Sequence, residues 1–240
     1  MNLTIDVGNN QTKIGVFEGD KIIQFQNYSP LTIEDVKELF QAYKIENAII
    51  ADVAFYDAGI DAFLKSNTRF IKLSHETKMP VTLKYLTPET LGRDRIATAA
   101  AAVDLFPGNN CLVIDAGTSI TYDIITAEKE FLGGGISPGI SMRFKALHNF
   151  TARLPLLKKE PINYLIGKNT EQSILSGVIN GTVGEMNYIM ESYHQKYPDL
   201  NVLLTGGDAP FFETRLNYKI FAVPNLVLRG LNKILQYNVA

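Results

Sequence analysis

"LVIDAGTSIT", residues 112–121, repeats the pattern of "LTIDVGNNQT", residues 3–12. Aligned without a gap, the two stretches share Leu, Ile, Asp, Gly and Thr at the same places. In each, a β-branched apolar run ends in Asp, and Gly stands two residues later. The run reads as a strand and Asp-x-Gly as the opening of a turn. One such turn is ordinary turn chemistry. Two, at matching places in the chain, mark a duplicated unit.

The flanking segments extend the match. "LTIDV", "TKIGVF" and "KIIQF" are three short strands joined by "GNNQ" and "EGD", an antiparallel meander. "CLVIDAG", "TSITYDIIT" and "FLGGGI" form a second one, with "AEKE" at the equivalent turn. After the first meander, Ile33, Val36, Leu39 and Phe40 recur at helical spacing behind a Thr32–Asp35 capping pair. "NAIIADV" is a buried strand whose crossover implies parallel pairing. A helix over 59–66, a strand over 69–73 and a helix from about Arg95, rich in small residues, follow. After the second meander come a helix opening near Pro138 and a long one from about Asn169 to Tyr197. Strands "NVLLTG" and "YKIFAV" and a final helix "PNLVLRGLNKILQY" complete the chain. The order β-β-β-α-β-α-β-α occurs twice. The expected organisation is two similar α/β domains, 1–108 and 109–240, each a mixed sheet with a three-strand meander plus helices. The boundary falls where "PGNN" at 107–110 breaks a helix.

Two domains of one make can present their turns to a shared cleft. Gly lets backbone N–H groups approach a phosphate, and Thr or Asn adds hydrogen bonds. The Asp repels phosphate directly but can hold a hydrated Mg²⁺ or a monovalent cation. The pair therefore suits a nucleoside triphosphate with its metal. No Gly-x₄-Gly-Lys-Ser/Thr sequence is present, which excludes a P-loop kinase by motif, and "GGGISPG" has Pro138 where a dinucleotide fingerprint has its third glycine.

Composition narrows the rest. The 240 residues are 46% hydrophobic and 20% charged with net charge −2, a globular chain with no reason to seek nucleic acid or a membrane surface. Cys111 is the only cysteine, so an internal disulfide is excluded. The start lacks a basic and apolar leader, and no apolar run reaches the ~20 residues of a membrane span; the expected location is the cytoplasm. His75, His148 and His194 show no metal-ligand spacing.

Taken together, "DVGNNQTKIGVF" (6–17), "LGRDR" (91–95), "DAGTSITYD" (115–123), "GGGISPG" (133–139) and "TGGDA" (205–209) give the chain a close resemblance to type III pantothenate kinases. These belong to the acetate and sugar kinase, Hsp70 and actin superfamily. The resemblance runs from residue 1 to about 235 and implies ribonuclease H-like, actin-like ATPase domains. It also implies ATP-dependent phosphorylation of pantothenate to 4′-phosphopantothenate, the first step of coenzyme A biosynthesis. Alternatives are another small-molecule kinase or phosphatase of the superfamily, or a non-catalytic ATP-binding regulator.

Residue by residue, the resemblance implies that Asp6 serves Mg²⁺ through water, and that Val7, Gly8, Asn9, Asn10, Gln11, Thr12 and Lys13 contact ATP. Asn10 stands where the family usually has Thr. Asp115 corresponds to the ligand of a monovalent cation, K⁺ or NH₄⁺, and Thr118 to an ATP contact. Asp94 corresponds to the catalytic base, and Arg95 beside it has the planar fork that suits pantothenate's carboxylate. Tyr85, Gly92, Arg93 and Thr170 complete the substrate side, with Arg93 in place of a small residue, commonly Ala. Thr170 would serve a pocket completed across a homodimer; Asn169 and Gln172 alternatively explain that region as a helix cap. Asp123 reads either as a further carboxylate behind the site or as an exposed strand residue. Asp208 reads either as a hydroxyl contact or as the cap of the next helix.

Overall fold

A computed structural model describes residues 1–9, 11–52 and 55–239. Asn10, one of the expected ATP contacts, lies outside them. The first meander is present as β1 (Asn2–Val7), β2 (Thr12–Glu18) and β3 (Lys21–Tyr28), followed by α1 (Ile33–Ala42), β4 (Asn47–Asp52), α2 (Ala58–Asn67) and β5 (Arg69–Lys72). The five strands order as β3-β2-β1-β4-β5. β1, β2 and β3 pair antiparallel, and β4 joins β1 and β5 in parallel. Every residue of β1 is buried, as a central strand covered on both faces demands. Its Leu3 and Ile5 are fully buried, each contributing about 2 kcal/mol of transfer free energy. α1 begins with the expected capping box between Thr32 and Asp35.

β6 (Thr82–Leu83) and α3 (Arg93–Leu105) follow. α3 starts two residues before the position that small-residue content predicts. Gly92 is its N-cap, and the Asp94 carboxylate accepts the Arg95 backbone N–H at 2.9 Å, so the first turn includes the charged residues. The alanines of α3 are buried, and a methyl placed on Gly230 of the last helix would lie 1.7 Å from the Ala97 carbonyl oxygen. The small residues let two helix backbones touch.

The second meander is β7 (Cys111–Ala116), β8 (Ser119–Ile125) and β9 (Glu130–Pro138). It leads into α4 (Ile140–Asn149), α5 (Thr170–Lys196), β10 (Asn201–Thr205), α6 (Ala209–Phe212), β11 (Phe221–Ala222) and α7 (Leu226–Val239). β7 and β8 pair antiparallel, while β10 runs parallel to both β7 and β11. The chain divides into two compact units: Met1–Gly108 with Ala127–Leu132 and Asn225–Ala240, and Asn109–Thr126 with Gly133–Pro224. Each has its own core, the first around Leu3, Ile5, Val16 and Ile50, the second around Ile114, Tyr122, Phe144 and Phe212. Within the first unit, β6 pairs in parallel with Glu130–Phe131. No helix among the described residues is long and apolar enough to cross a membrane.

Candidate active site

The first turn joins β1 to β2. Asp6 pairs with Lys13 and Val7 with Thr12 across the antiparallel ladder, leaving 8–11 as the loop. Gly8 N–H donates to the Gln11 carbonyl at 3.2 Å and closes it. Asp6, Val7 and Thr12 are buried, whereas Asn9 and Gln11 are exposed. The loop opens on a cavity of about 640 Å³, whose other walls come from 28–34 and 55–57. Val7, Gly8, Asn9, Gln11 and Thr12 line that cavity, and Asp6 and Lys13 pair one rung behind them; a carboxylate, loop amides and an ammonium are a set that fits phosphate and a hydrated cation.

The acceptor motif lies in the same unit. The half-buried Asp94 occupies the first turn of α3, where its carboxylate also favours the helix N-terminus. Gly92 makes that pose possible: a Cβ there would sit 2.5 Å from Asp94 Oδ1. Arg95 is buried, and its guanidinium lies 5.6 Å from the ring centres of both Tyr85 and Phe131. Cation–π contact on two rings holds the planar fork in one orientation. Tyr85 therefore meets Arg95 directly, a relation the spacing of the motif does not reveal.

In the second unit, Asp115 pairs with Thr121 and Ala116 with Ile120, leaving 117–119 as the loop. Gly117 N–H donates to the Ser119 carbonyl at 3.0 Å. Two glycines from the other motifs press on this turn. A Cβ on Gly139 of "GGGISPG" would lie 2.3 Å from the Thr118 carbonyl oxygen. One on Gly206 of "TGGDA", at φ +97°, would lie 2.4 Å from the Ala116 carbonyl oxygen and 2.5 Å from Asp115 Oδ1. The structure thus gathers Asp115, Thr118, "GGGISPG" and "TGGDA" round one corner. Thr118 is exposed and Asp115 half-buried at this corner.

Several sequence readings are corrected or decided. Asp123 is not an exposed strand residue; it is fully buried in β8, opposite Val113. Asp208 makes no capping bond through its side chain: its carboxylate is held by Lys159, and its backbone N–H donates to the Ala116 carbonyl at 2.8 Å. Thr170 is exposed at the first position of α5, and Asn169 and Gln172 do cap that helix, at 2.9 Å. Cys111 is buried, and burial pushes its thiol up to about 12, so it is unreactive at neutral pH. Among the described residues there is no group of three or more His, Cys, Asp and Glu that could hold a metal.

Sequence reasoning passed over three groups. Lys159 comes from a segment without regular structure, and no pattern flags it. Glu185 of α5 accepts hydrogen bonds from Tyr122, Ser137 and Arg143 at 2.8, 2.5 and 2.6 Å, tying "GGGISPG" to α5. Burial pushes the Glu185 carboxyl up, but these donors outweigh it and hold it below its ordinary range. Asp52 ends the buried strand β4 at the rung of Val7, one residue beyond that of Asp6 in β1, and that signal was available in "NAIIAD".

A sequence profile of type III pantothenate kinases matches residues 2–192. The chain belongs to the type III pantothenate kinase family. Relatives carrying that name include one from Cytophaga hutchinsonii, 47% identical over the whole of both chains, and one from Christiangramia forsetii, 43% identical over 99% of each. Among solved structures, a glucokinase from an Antarctic psychrotroph aligns with a TM-score of 0.52 at 12% identity over 98% of each chain. A ROK family protein from Streptococcus pneumoniae, crystallised with sucrose, also aligns at TM-score 0.52 and 12% identity, covering 99% of this chain and 98% of its own. At such identities these structures speak for the fold alone: mixed α/β halves of the actin-like ATPase kind. The family match is what makes the chain a phosphate-transferring enzyme.

Proposed function

We propose that this chain transfers the γ-phosphoryl group of ATP to the primary alcohol of pantothenate, with Asp94 as the group that accepts the hydroxyl proton. The observation that carries the assignment is the pose of Asp94. Its carboxylate is held half-buried over Gly92 at the start of α3, next to the ring-clamped Arg95. Such a carboxylate can take up a proton as the phosphorus–oxygen bond forms. Arg95 receives the pantothenate carboxylate in a bidentate fork, with Tyr85 fixing its plane. Gly92 and Arg93 belong to the same acceptor face, and Thr170 serves the pocket completed by a second copy.

On the nucleotide side, Asp6 holds Mg²⁺ through water, and Val7, Gly8, Asn9, Asn10, Gln11, Thr12 and Lys13 bind the phosphates. Asp115 holds K⁺ or NH₄⁺, and Thr118 contacts ATP. Bound there, the cations would supply charge neutralisation on the phosphates, while the chain's own residues position the phosphates and hold the acceptor in line. A homodimer is supported by exposed Leu165 and Ile166 beside a groove of about 560 Å³, lined by Ser173, Gly177 and Gly181 of α5. The protein works in the cytoplasm, without nucleic acid or membrane.

The test is ADP release with and without pantothenate, at varied K⁺. Asp94→Asn is expected to lower kcat by about 10²–10⁴-fold while nucleotide binding persists. Near-normal turnover by that variant removes Asp94 from the role.

A further inference from the structure

Arg93 is an odd first residue for a helix. The N-terminus of α3 carries partial positive charge, so a cation there is unfavourable. Its N-cap, Gly92, offers no side chain to compensate. The charge is answered from elsewhere: Arg93 Nε lies 3.8 Å from Asp52 Oδ1, at the end of β4. That Nε is buried and, among the described residues, has no hydrogen-bond partner. The contact is therefore a charge pairing rather than a fork-on-carboxylate bond.

Asp52 is itself held. Lys72 of β5 reaches it at 3.2 Å, and the same ammonium reaches Asp61 of α2 at 3.3 Å and donates to the Tyr56 hydroxyl at 3.0 Å. Tyr56 in turn donates to Asp61 at 2.5 Å. Five side chains from β4, the following loop, α2, β5 and α3 thus form one chain of contacts inside the first unit. The places of three members are informative. Asp52 lies opposite Val7 in the parallel β1–β4 ladder, beside the first turn, and Tyr56 lines the cavity on which that turn opens. Arg93 is covalently next to Asp94.

We infer that the Asp52–Arg93 pair is a positioning device: it ties the start of α3 to the strand end beside the phosphate turn, and so sets where the Asp94 carboxylate stands relative to that turn. This rests on the assignment of Asp94 above. It makes Arg93 act through its neighbour, with Asp52 as the second half of the device and Lys72 as the anchor that keeps Asp52 in place. A base that must stand within hydrogen-bond reach of the acceptor loses rate when its helix start can wander.

The experiment is a double-mutant cycle with Arg93→Met, Asp52→Asn and the double variant, together with Arg93→Lys. For each, kcat and KM are measured for pantothenate at saturating ATP and for ATP at saturating pantothenate, with the urea midpoint as a control. Each single variant is expected to lower kcat about 5-fold with KM for ATP unmoved. The double variant should be no slower than Arg93→Met, and Arg93→Lys, which restores the charge, should recover most of the loss. Multiplicative losses in the double variant overturn the inference, as do Arg93→Met within 2-fold of the parent or losses that track the urea midpoints. Asp94→Asn is assayed in parallel. If it stays active, the base assignment itself fails; if it is dead while the cycle shows no coupling, only the pairing of Asp52 with Arg93 is lost.

Discussion

The two echoing turns look interchangeable in sequence, yet they are built differently. In the first, Asp6 faces Lys13 across the ladder and the loop is 8–11; in the second, Asp115 faces Thr121 and the loop is 117–119. One extra loop residue shifts the pairing by one place, so the threonines that match in sequence, Thr12 and Thr121, occupy different rungs. The surroundings differ more. The second turn is wedged by backbone at Gly139 and Gly206, with no room for a methyl group. The first opens on its cavity, and among the described residues a Cβ on Gly8 would meet only the Gln11 carbonyl, at 3.0 Å. Duplication supplied one device, and packing crowded one copy with neighbouring backbone while the described residues of the other border a cavity.

The largest expected effect would break this contrast outright. Gly206→Ala puts a side chain at positive φ and drives it into the Ala116 carbonyl, costing about 4 kcal/mol or preventing folding. Gly8→Ala should cost about 1 kcal/mol; urea denaturation of the two variants compares them directly, and equal midpoints would erase the distinction. Next in size is the chemistry of the two carboxylates. Asp6→Asn should lower kcat/KM by about 10²-fold at any K⁺ concentration, whereas Asp115→Asn should lose about 10-fold and regain part of it as K⁺ is raised. A K⁺ titration of ADP release distinguishes them.

Gly92→Ala sharpens the comparison from the acceptor side. The added methyl displaces the Asp94 carboxylate rather than the backbone, so kcat should fall about 10-fold with Tm nearly unchanged. The smallest effect concerns the support behind "GGGISPG". Because Glu185 is held below its ordinary range when folded, it stabilises the protein above that range, and the contribution is lost as pH falls through the depressed folded value. Glu185→Gln should cost about 1 kcal/mol at neutral pH, a difference that closes as pH falls into and below the ordinary glutamate range. Parallel urea curves across that window test it.

The candidate site was proposed from residues alone. Asp6, Asp94 and Asp115 announce themselves by strand-end or motif position, and the Thr32–Asp35 and Asn169–Gln172 caps by local chemistry. What escaped was pairwise and long-range. Nothing near Asp208 predicts Lys159, and nothing near Glu185 predicts Ser137 or Tyr122. The burial of Asp123 was missed because one polar residue in an apolar strand looks the same whether its face is covered or open.

The sequence by itself determined the duplication, the meanders and the residue types at the three carboxylate positions, because turn chemistry and strand alternation act over a few neighbouring residues. Only the tertiary structure decided the register of each turn, the partners of Asp52, Asp208 and Glu185, and the packing of α7 through Gly230 onto Ala97 of α3 in the first unit. Those outcomes depend on which group meets which at separations that no local pattern spans, 49 residues for Lys159 with Asp208, 63 for Tyr122 with Glu185 and more than a hundred for Ala97 with Gly230. Steric fit at such contacts leaves no periodic trace in either partner.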